Sequence, residues 1–315
     1  MLKGRIRKLS SIILQFQIYY LLLSTVVKNN YRMEYTMQVR GRLVSLREPQ
    51  VMGILNCTPD SFFAASRVQT EESIARRANQ IIEEGGTMID VGGFSTRPGG
   101  VEVTEEEEMR RLRFALPIVR REQPNAIISV DTFRPDVARM VVEELGADII
   151  NDVSEGGITG IVDTPLEASS DGDYPAIFRM VAQLGVPYIL MSVKPTLHDM
   201  LLSLSREVQQ LRDLGQKDII IDPGFGFGKT VEQNYAVLHG MDKLSVLGLP
   251  ILAGVSRKRM IFQPLDTNPD VSLNGTTVVN TIALLRGASI LRVHDVKAAA
   301  EAVRIVGCYR TGAGQ

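Results

Sequence analysis

Polar side chains able to bind ligands or move protons recur at one kind of place in this sequence, directly after short apolar runs. Asn56 follows VMGIL (51–55), Gly92 to Arg97 lead out of MIDVG (88–92), Asp131 and Thr132 follow IISV (127–130), and Asn151 and Asp152 close DIIND (148–152). Met191 and Ser192 end the run YILM (188–191), Asp222 closes DIIID (218–222), Ser256 to Lys258 follow ILAGV (251–255), and Arg292 and His294 lie at the end of ILRV (290–293). Arg292 and His294 are two apart, which on a strand puts them on one face. Just ahead of a helix, a guanidinium fork, an imidazole and free backbone N–H groups suit an anion, above all a phosphate or diphosphate. A surface arginine beside a structural histidine is the plain alternative. Asp131 and Asp222 suit a ring that offers N–H and NH2 edges side by side. Asn151 both gives and accepts, and Lys258 neutralises a carboxylate or caps a ring carbonyl. Each of these alone reads equally well as a loop cap; gathered at one rim they read as a site.

Other chemistries find little support. DPGFGFGKT (222–230) is not a phosphate-binding P-loop, because Gly224 and Gly228 enclose three residues where that loop needs four. Its glycines instead predict a tight turn over a ligand, with Phe225 or Phe227 as an apolar wall. The motifs H-E-x-x-H and G-x-S-x-G are missing, and Cys57 adjoins the rim with no evident base, as a packed thiol. With only Cys57 and Cys308, a disulfide scaffold and a Cys-rich zinc site are excluded. The 35 basic and 36 acidic residues give a net charge of −1, which argues against non-specific nucleic-acid binding.

These residues need elements that bring them together. The eight apolar runs alternate with helical patterns, each run separated from the next by the length of a crossover helix and two loops. Thr104 with Glu107 and Thr230 with Gln233 predict capping boxes, Pro135 and Pro175 predict first turns, and Asp295 is placed to cap the last helix. Gly85, Gly146, Gly185, Gly215 and Gly248 each end a helical stretch. Eight such units give an α/β fold, a (β/α)8 TIM barrel, whose strand ends open onto one bowl. A doubly wound open sheet is the rival, but none of the eight runs looks like an edge. Residues 37–46, alternating about Gly41, predict a short N-terminal hairpin that closes the barrel floor, and the stretch from Ser154 to Asp173 is the longest loop. The barrel domain is expected over residues 37–315, with 1–36 an extension. Within it Leu9 to Val27 carries no charge after a basic start; a non-native or disordered extension, membrane association of residues 9–27 and a signal peptide all remain open.

The motifs GILNCTPDSF (53–62), DVGGFSTRPG (90–99), SVDTF (129–133), IINDVS (149–154), DPGFGFGKT (222–230), GVSRKR (254–259), GTT (275–277) and LRVHDV (291–296) resemble, in order, those of the dihydropteroate synthases of folate biosynthesis. The resemblance implies a cytoplasmic transferase that joins 4-aminobenzoate to 6-hydroxymethyl-7,8-dihydropterin diphosphate with Mg2+, commonly as a homodimer. It implies a pterin held by Asp131, Asn151, Asp222 and Lys258, and a diphosphate held by Asn56, Thr96, Arg292 and His294, with Asn56 on the metal. It further implies aminobenzoate near Arg97, Pro98, Phe227 and Ser256, and a first loop assembled with help from Asp60. Asp60, Arg97, Asp131, Asp222, Lys258 and Arg292 form the expected catalytic set. The sequence departs from the family pattern at Phe63 to Ser66, at Phe94 in place of a glutamate, and at Ser192 and Val193 in place of a histidine and its successor. A sister family that moves a methyl group from methyltetrahydrofolate to a corrinoid protein shares the pterin pocket but has no use for a diphosphate site or for the STRP loop. A non-catalytic pterin-binding paralogue is the third reading.

Overall fold

A computed structural model describes residues 34–57, 67–93, 103–157 and 174–312. It opens with an antiparallel hairpin, β1 (Thr36–Val39) and β2 (Arg42–Ser45). Its two-residue turn, Arg40 and Gly41, has positive φ at both positions, the twist that suits such a hairpin.

Eight parallel strands follow: β3 (Gln50–Asn56), β4 (Met88–Gly92), β5 (Ile127–Asp131), β6 (Ile149–Asp152), β7 (Tyr188–Met191), β8 (Ile219–Asp222), β9 (Ile251–Ala253) and β10 (Ala288–Val293). They close into a barrel in sequence order, with β10 beside β3. The surrounding helices are α1 (Arg67–Glu83), α2 (Glu105–Glu122), α3 (Pro135–Glu143), α4 (Ala176–Leu184), α5 (Leu197–Asp213), α6 (Val231–His239), α7 (Arg259–Phe262), α8 (Leu273–Leu285) and α9 (Val296–Gly312). The barrel is therefore the (β/α)8 architecture that the eight apolar runs predict.

Local signals explain where the elements start and stop. Thr230 and Gln233 form the full capping box at α6. At α2 only half forms, because Thr104 accepts from the Glu107 N–H while the Glu107 carboxylate turns to Arg110 and Arg111. Pro135 opens α3, whereas Pro175 sits one place earlier than a first-turn residue, at the N-cap of α4. Asp295 precedes α9, but its carboxylate is forked by Arg257. All five helix-ending glycines have positive φ.

The packing that matters for function lies inside the barrel. Met52, Met88, Ile149, Ile189, Ile220, Leu252 and Ile290 form one buried layer across its interior, and Met37, Val39 and Leu46 of the hairpin segment complete it from below. The hairpin is held there by Arg40, which forks Asp148 at 2.8 and 3.0 Å beside Arg120. The floor is thus a dry apolar plug, and the strands carry their next inward residues above it.

Candidate active site

Side chains alternate along a strand, so the residue two places after each plug residue also points inward, one step nearer the rim. Met88 leads to Asp90, Ile149 to Asn151, Ile220 to Asp222, Leu252 to Gly254 and Ile290 to Arg292. The layer above the plug is therefore polar on four strands. At the fifth, glycine leaves room: a Cβ on Gly254 would lie 3.9 Å from both the Arg292 Cβ and Asp222 Oδ2.

Arg292 is the hub. Its Nε donates to Asp90 Oδ2 at 2.6 Å and its Nη2 to Asp131 Oδ2 at 3.0 Å. Asn151 Nδ2 also donates to Asp90, at 3.2 Å, while Asn151 Oδ1 is buried without a hydrogen-bond partner among the described residues. Burial drives the Asp131 carboxyl up to about 7, against the pull of Arg292 and with the push of Asp90, so this group holds a proton near neutrality. For Arg292 burial opposes the charge, but Asp90 and Asp131 outweigh it and raise its pKa.

A second charged group stands on β8 and the loop after β9, next to the β10 strand that carries Arg292. Asp222 Oδ1 accepts from the Gly224 N–H at 2.7 Å, and burial raises the Asp222 carboxyl against the field of Lys258. Burial lowers Lys258 to about 8, with Asp222 opposing; its Nζ donates to Phe225 O and lies 4.5 Å from the centre of the Phe227 ring. The loop after β8 is laid tightly on its neighbour. A Cβ on Gly224, which has φ +63°, would stand 2.1 Å from Ser192 O, a contact no side chain permits. Lys229, the lysine of the P-loop-like string, donates to Ser192 O, Gly224 O and Phe227 O at 3.0–3.2 Å. Its ammonium thus fastens the loop rather than reaching for phosphate.

Next along the rim, the His294 backbone N–H donates to Ser256 Oγ (3.2 Å), and ring Nδ1 of the same residue lies 3.1 Å from that oxygen. Arg77 of α1 donates to Ile54 O at 3.2 Å and to His294 O at 2.7 Å. These carbonyls lie one residue beyond the last paired residues of the β3–β10 seam, Gly53 and Val293. Asn56 ends β3, exposed. Cys57 is buried and its thiol is pushed up to about 12 by burial, which makes it a poor nucleophile.

Asp131, Asn151 and Arg292 are thus tied together through Asp90, Asp222, Phe227 and Lys258 through the loop after β8, and Ser256 and His294 form a pair beside them. Asp60, Thr96, Arg97 and Pro98 lie outside the described residues, as do Phe63 to Ser66 and Phe94. Sequence reasoning missed Asp90, the acceptor that Arg292 and Asn151 share; its signal was its position two residues after the apolar Met88.

The altered residue Ser192 has a local partner. Its hydroxyl donates to Glu155 Oε1 at 3.1 Å, and the same carboxylate takes Ser203 Oγ, the Val193 N–H and Lys194. Glu207 on α5, whose Oε2 has no hydrogen-bond partner among the described residues, is pushed up to about 8 by burial and by the Glu155 charge, from an ordinary 4.5. The folded protein therefore keeps a proton here that the unfolded chain releases, and stability falls as pH rises from about 4.5 to about 8. Glu207→Gln is expected to melt above the unsubstituted protein at pH 8, by the equivalent of at least ~1 kcal/mol, with the gap closing near pH 5. Equal melting curves at pH 8 would show that Glu207 carries no such cost.

Comparison with known proteins is consistent across sequence and structure. The family described as pterin binding enzyme matches residues 52–294. The dihydropteroate synthase of Escherichia coli (strain K12) is 37% identical over 275 residues, covering 85% of this chain and 94% of that protein. The structure of Xanthomonas albilineans dihydropteroate synthase with 4-aminobenzoic acid superposes with a TM-score of 0.76 at 34% identity, covering 88% of this chain and 99% of the other. That enzyme in complex with 7,8-dihydropteroate gives a TM-score of 0.74 at 32% identity, with the same coverage.

Proposed function

Because this chain belongs to the pterin-binding family of the dihydropteroate synthases, we propose that its rim joins 6-hydroxymethyl-7,8-dihydropterin diphosphate to 4-aminobenzoate, giving 7,8-dihydropteroate and diphosphate. The protein is an enzyme, a transferase. The observation that carries the reading is the buried polar layer, and within it Asn151 Oδ1, an acceptor with no donor among the described residues. A buried acceptor left unpaired is costly, and a ring amino group would satisfy it. Asp131 and Asp222 accept from the remaining ring N–H edges, and Lys258 faces a ring carbonyl.

The bond between the pterin methylene carbon and diphosphate breaks as positive charge develops on the ring. Asp222 opposes that charge from a buried position, where a fixed charge acts most strongly. His294 and Asn56 hold the leaving diphosphate, with Thr96, and Arg292 reaches it from the ring side. The aromatic amine, placed by Arg97, Pro98, Phe227 and Ser256 with Asp60 ordering the first loop, then attacks the carbon and loses its proton. Mixing the two substrates with purified protein and following dihydropteroate tests this; methyl transfer to a corrinoid acceptor in its place would support the sister family.

Mg2+ fits the reading. Asn56 offers an exposed amide oxygen, a hard donor of the kind Mg2+ takes, and no group of three or more His, Cys, Asp or Glu able to cage a metal occurs among the described residues. That donor set suits an ion held mainly by substrate phosphate oxygens and water. When bound, the ion withdraws charge from the departing diphosphate. Chelation is expected to abolish turnover and added Mg2+ to restore it; full turnover in excess chelator would remove the metal from the account.

The enzyme is assigned to the cytoplasm, where its substrates arise, and residues 1–36 to an extension of the barrel domain. Among the described residues no helix is long and apolar enough to cross a membrane. A homodimer is supported by apolar side chains exposed on two neighbouring helices, Val278, Ile282 and Leu285 on α8 and Ile305 and Tyr309 on α9. Such a patch is larger than scattered surface residues require. Ile305→Asp combined with Val278→Asp is expected to shift the sedimenting species from dimer to monomer, and an unchanged dimer would place the interface elsewhere.

A further inference from the structure

Ser256 is expected, from family resemblance, to face aminobenzoate. Its hydroxyl is engaged elsewhere. Ser256 is 5% exposed, and its Oγ lies 3.2 Å from the backbone nitrogen of His294 and 3.1 Å from Nδ1 of the same residue. The backbone N–H can only donate, so it uses a lone pair of the hydroxyl oxygen. The hydroxyl hydrogen, buried, then needs an acceptor of its own. Nδ1 supplies one if it carries no hydrogen.

We propose that Ser256 is a positioning residue for the diphosphate half of the reaction: its hydroxyl donates a hydrogen bond to Nδ1 of His294 and so fixes the imidazole tautomer with its hydrogen on Nε2. His294 then offers an anion an N–H donor without first having to be protonated. A ring free to exchange its hydrogen between nitrogens would present a lone pair at Nε2 for part of the time, and a lone pair repels phosphate oxygen.

The surrounding contacts hold the same residue in place. His294 is fixed at its N–H by Ser256, at its carbonyl by Arg77 (2.7 Å), and through the next residue by the Arg257 fork on Asp295 (2.6 and 2.9 Å). Arg257 adopts φ +56°, a conformation costly for a side-chain-bearing residue, and its N–H is bonded to Thr276 Oγ1 at 3.2 Å. Ser256 and Arg257 are thus turned toward the His294–Asp295 pair by a strained backbone.

The consequence for diphosphate rests on the synthase reading; the tautomer does not, and the experiment separates them. The protein has three histidines, of which His198 and His239 are exposed on helices. With ring nitrogens labelled, the full-length protein at pH 8.5, where an ordinary imidazole is neutral, is expected to show one histidine locked with a pyridine-type Nδ1 and a pyrrole-type Nε2. The other two should show averaged signals. Ser256→Ala is expected to move that residue to averaged signals and to weaken diphosphate binding roughly three- to tenfold, with binding of a phosphate-free pterin unchanged. Ser256→Thr keeps the hydroxyl and is expected to keep the lock. A pyrrole-type Nδ1 in the unsubstituted protein overturns the proposal, whether or not any variant folds. So does a Ser256→Ala protein that loses the lock but binds diphosphate as before. Failure to make dihydropteroate with the lock intact would instead count against the synthase reading alone.

Discussion

The Arg292→Ala protein is expected to lose about 3 kcal/mol of folding stability at pH 8, and to bind phosphate-free pterin and diphosphate ester more weakly together. Arg292 is the only described cation that bonds both Asp90 and Asp131, and Asp90 is fully buried. Removing it leaves two carboxylates in one low-dielectric place. Protonation of Asp131, which already stands near 7, relieves the repulsion. The loss should therefore shrink as pH falls below about 7, where Asp131 takes up a proton, and grow above neutrality. Asp90→Asn in the same chain removes one of the stranded charges and is expected to restore part of the stability. Denaturant melts at pH 5 and pH 8, with ligand titrations on folded protein, check this. A variant as stable as the parent at both pH values, and impaired toward diphosphate alone, would mean that Arg292 serves the leaving group and not the pterin wall.

Asp222→Asn is the companion case, with its main effect on rate. The amide oxygen can keep the bond from Gly224, so the loop after β8 has no reason to unfold. What disappears is the negative charge that opposes a ring cation, and that change is expected to lower kcat by roughly 2–4 kcal/mol, some 30- to 1000-fold. Lys258 loses its counter-charge as well. Held to about 8 with Asp222 present, it should fall further without it, so the variant's remaining activity should decline at lower pH than the parent's. Pterin binding should weaken in parallel, since an NH2 group stands where a ring N–H expected an acceptor. A variant with unaltered kcat would remove Asp222 from the reacting centre.

The barrel was legible because its signals are local. Each strand is a continuous apolar run between turn residues, as expected of strands buried on both faces, and each helix-ending glycine marks a left-handed backbone that other residues resist. The hairpin was legible from its alternation about Gly41, and its role as floor follows from Met37 and Val39 lying on one face. Most of the polar rim was legible too, since a charged residue closing an apolar run has few structural reasons to be there.

What stayed hidden is who holds whom. Arg292 was read with the diphosphate, yet its hydrogen bonds go to Asp90 and Asp131, 202 and 161 residues away in sequence. That pairing is set by closure of the barrel, which no local pattern records. Asp90 was passed over because it lies inside its strand rather than at the end; counting two residues up from the apolar plug would have found it. Ser256 shows the same limit. Lys258 of the ring site lies two residues away in sequence, but the serine's hydrogen-bond partner is a histidine just past the end of the next strand. Arg77, in the middle of α1, reaches Ile54 O on β3 and His294 O just past the end of β10.

The polar layer above the plug is read as a pterin pocket, in which Asn151 Oδ1 has no donor among the described residues. A crystal structure of the protein with a phosphate-free dihydropterin tests it most directly. The ring is expected above the plug, with an amino or N–H group within hydrogen-bond distance of Asn151 Oδ1 and the carboxylates of Asp131 and Asp222 along its other edge. A ring bound elsewhere on the barrel, or bound here with Asn151 Oδ1 still unpaired, would contradict the account.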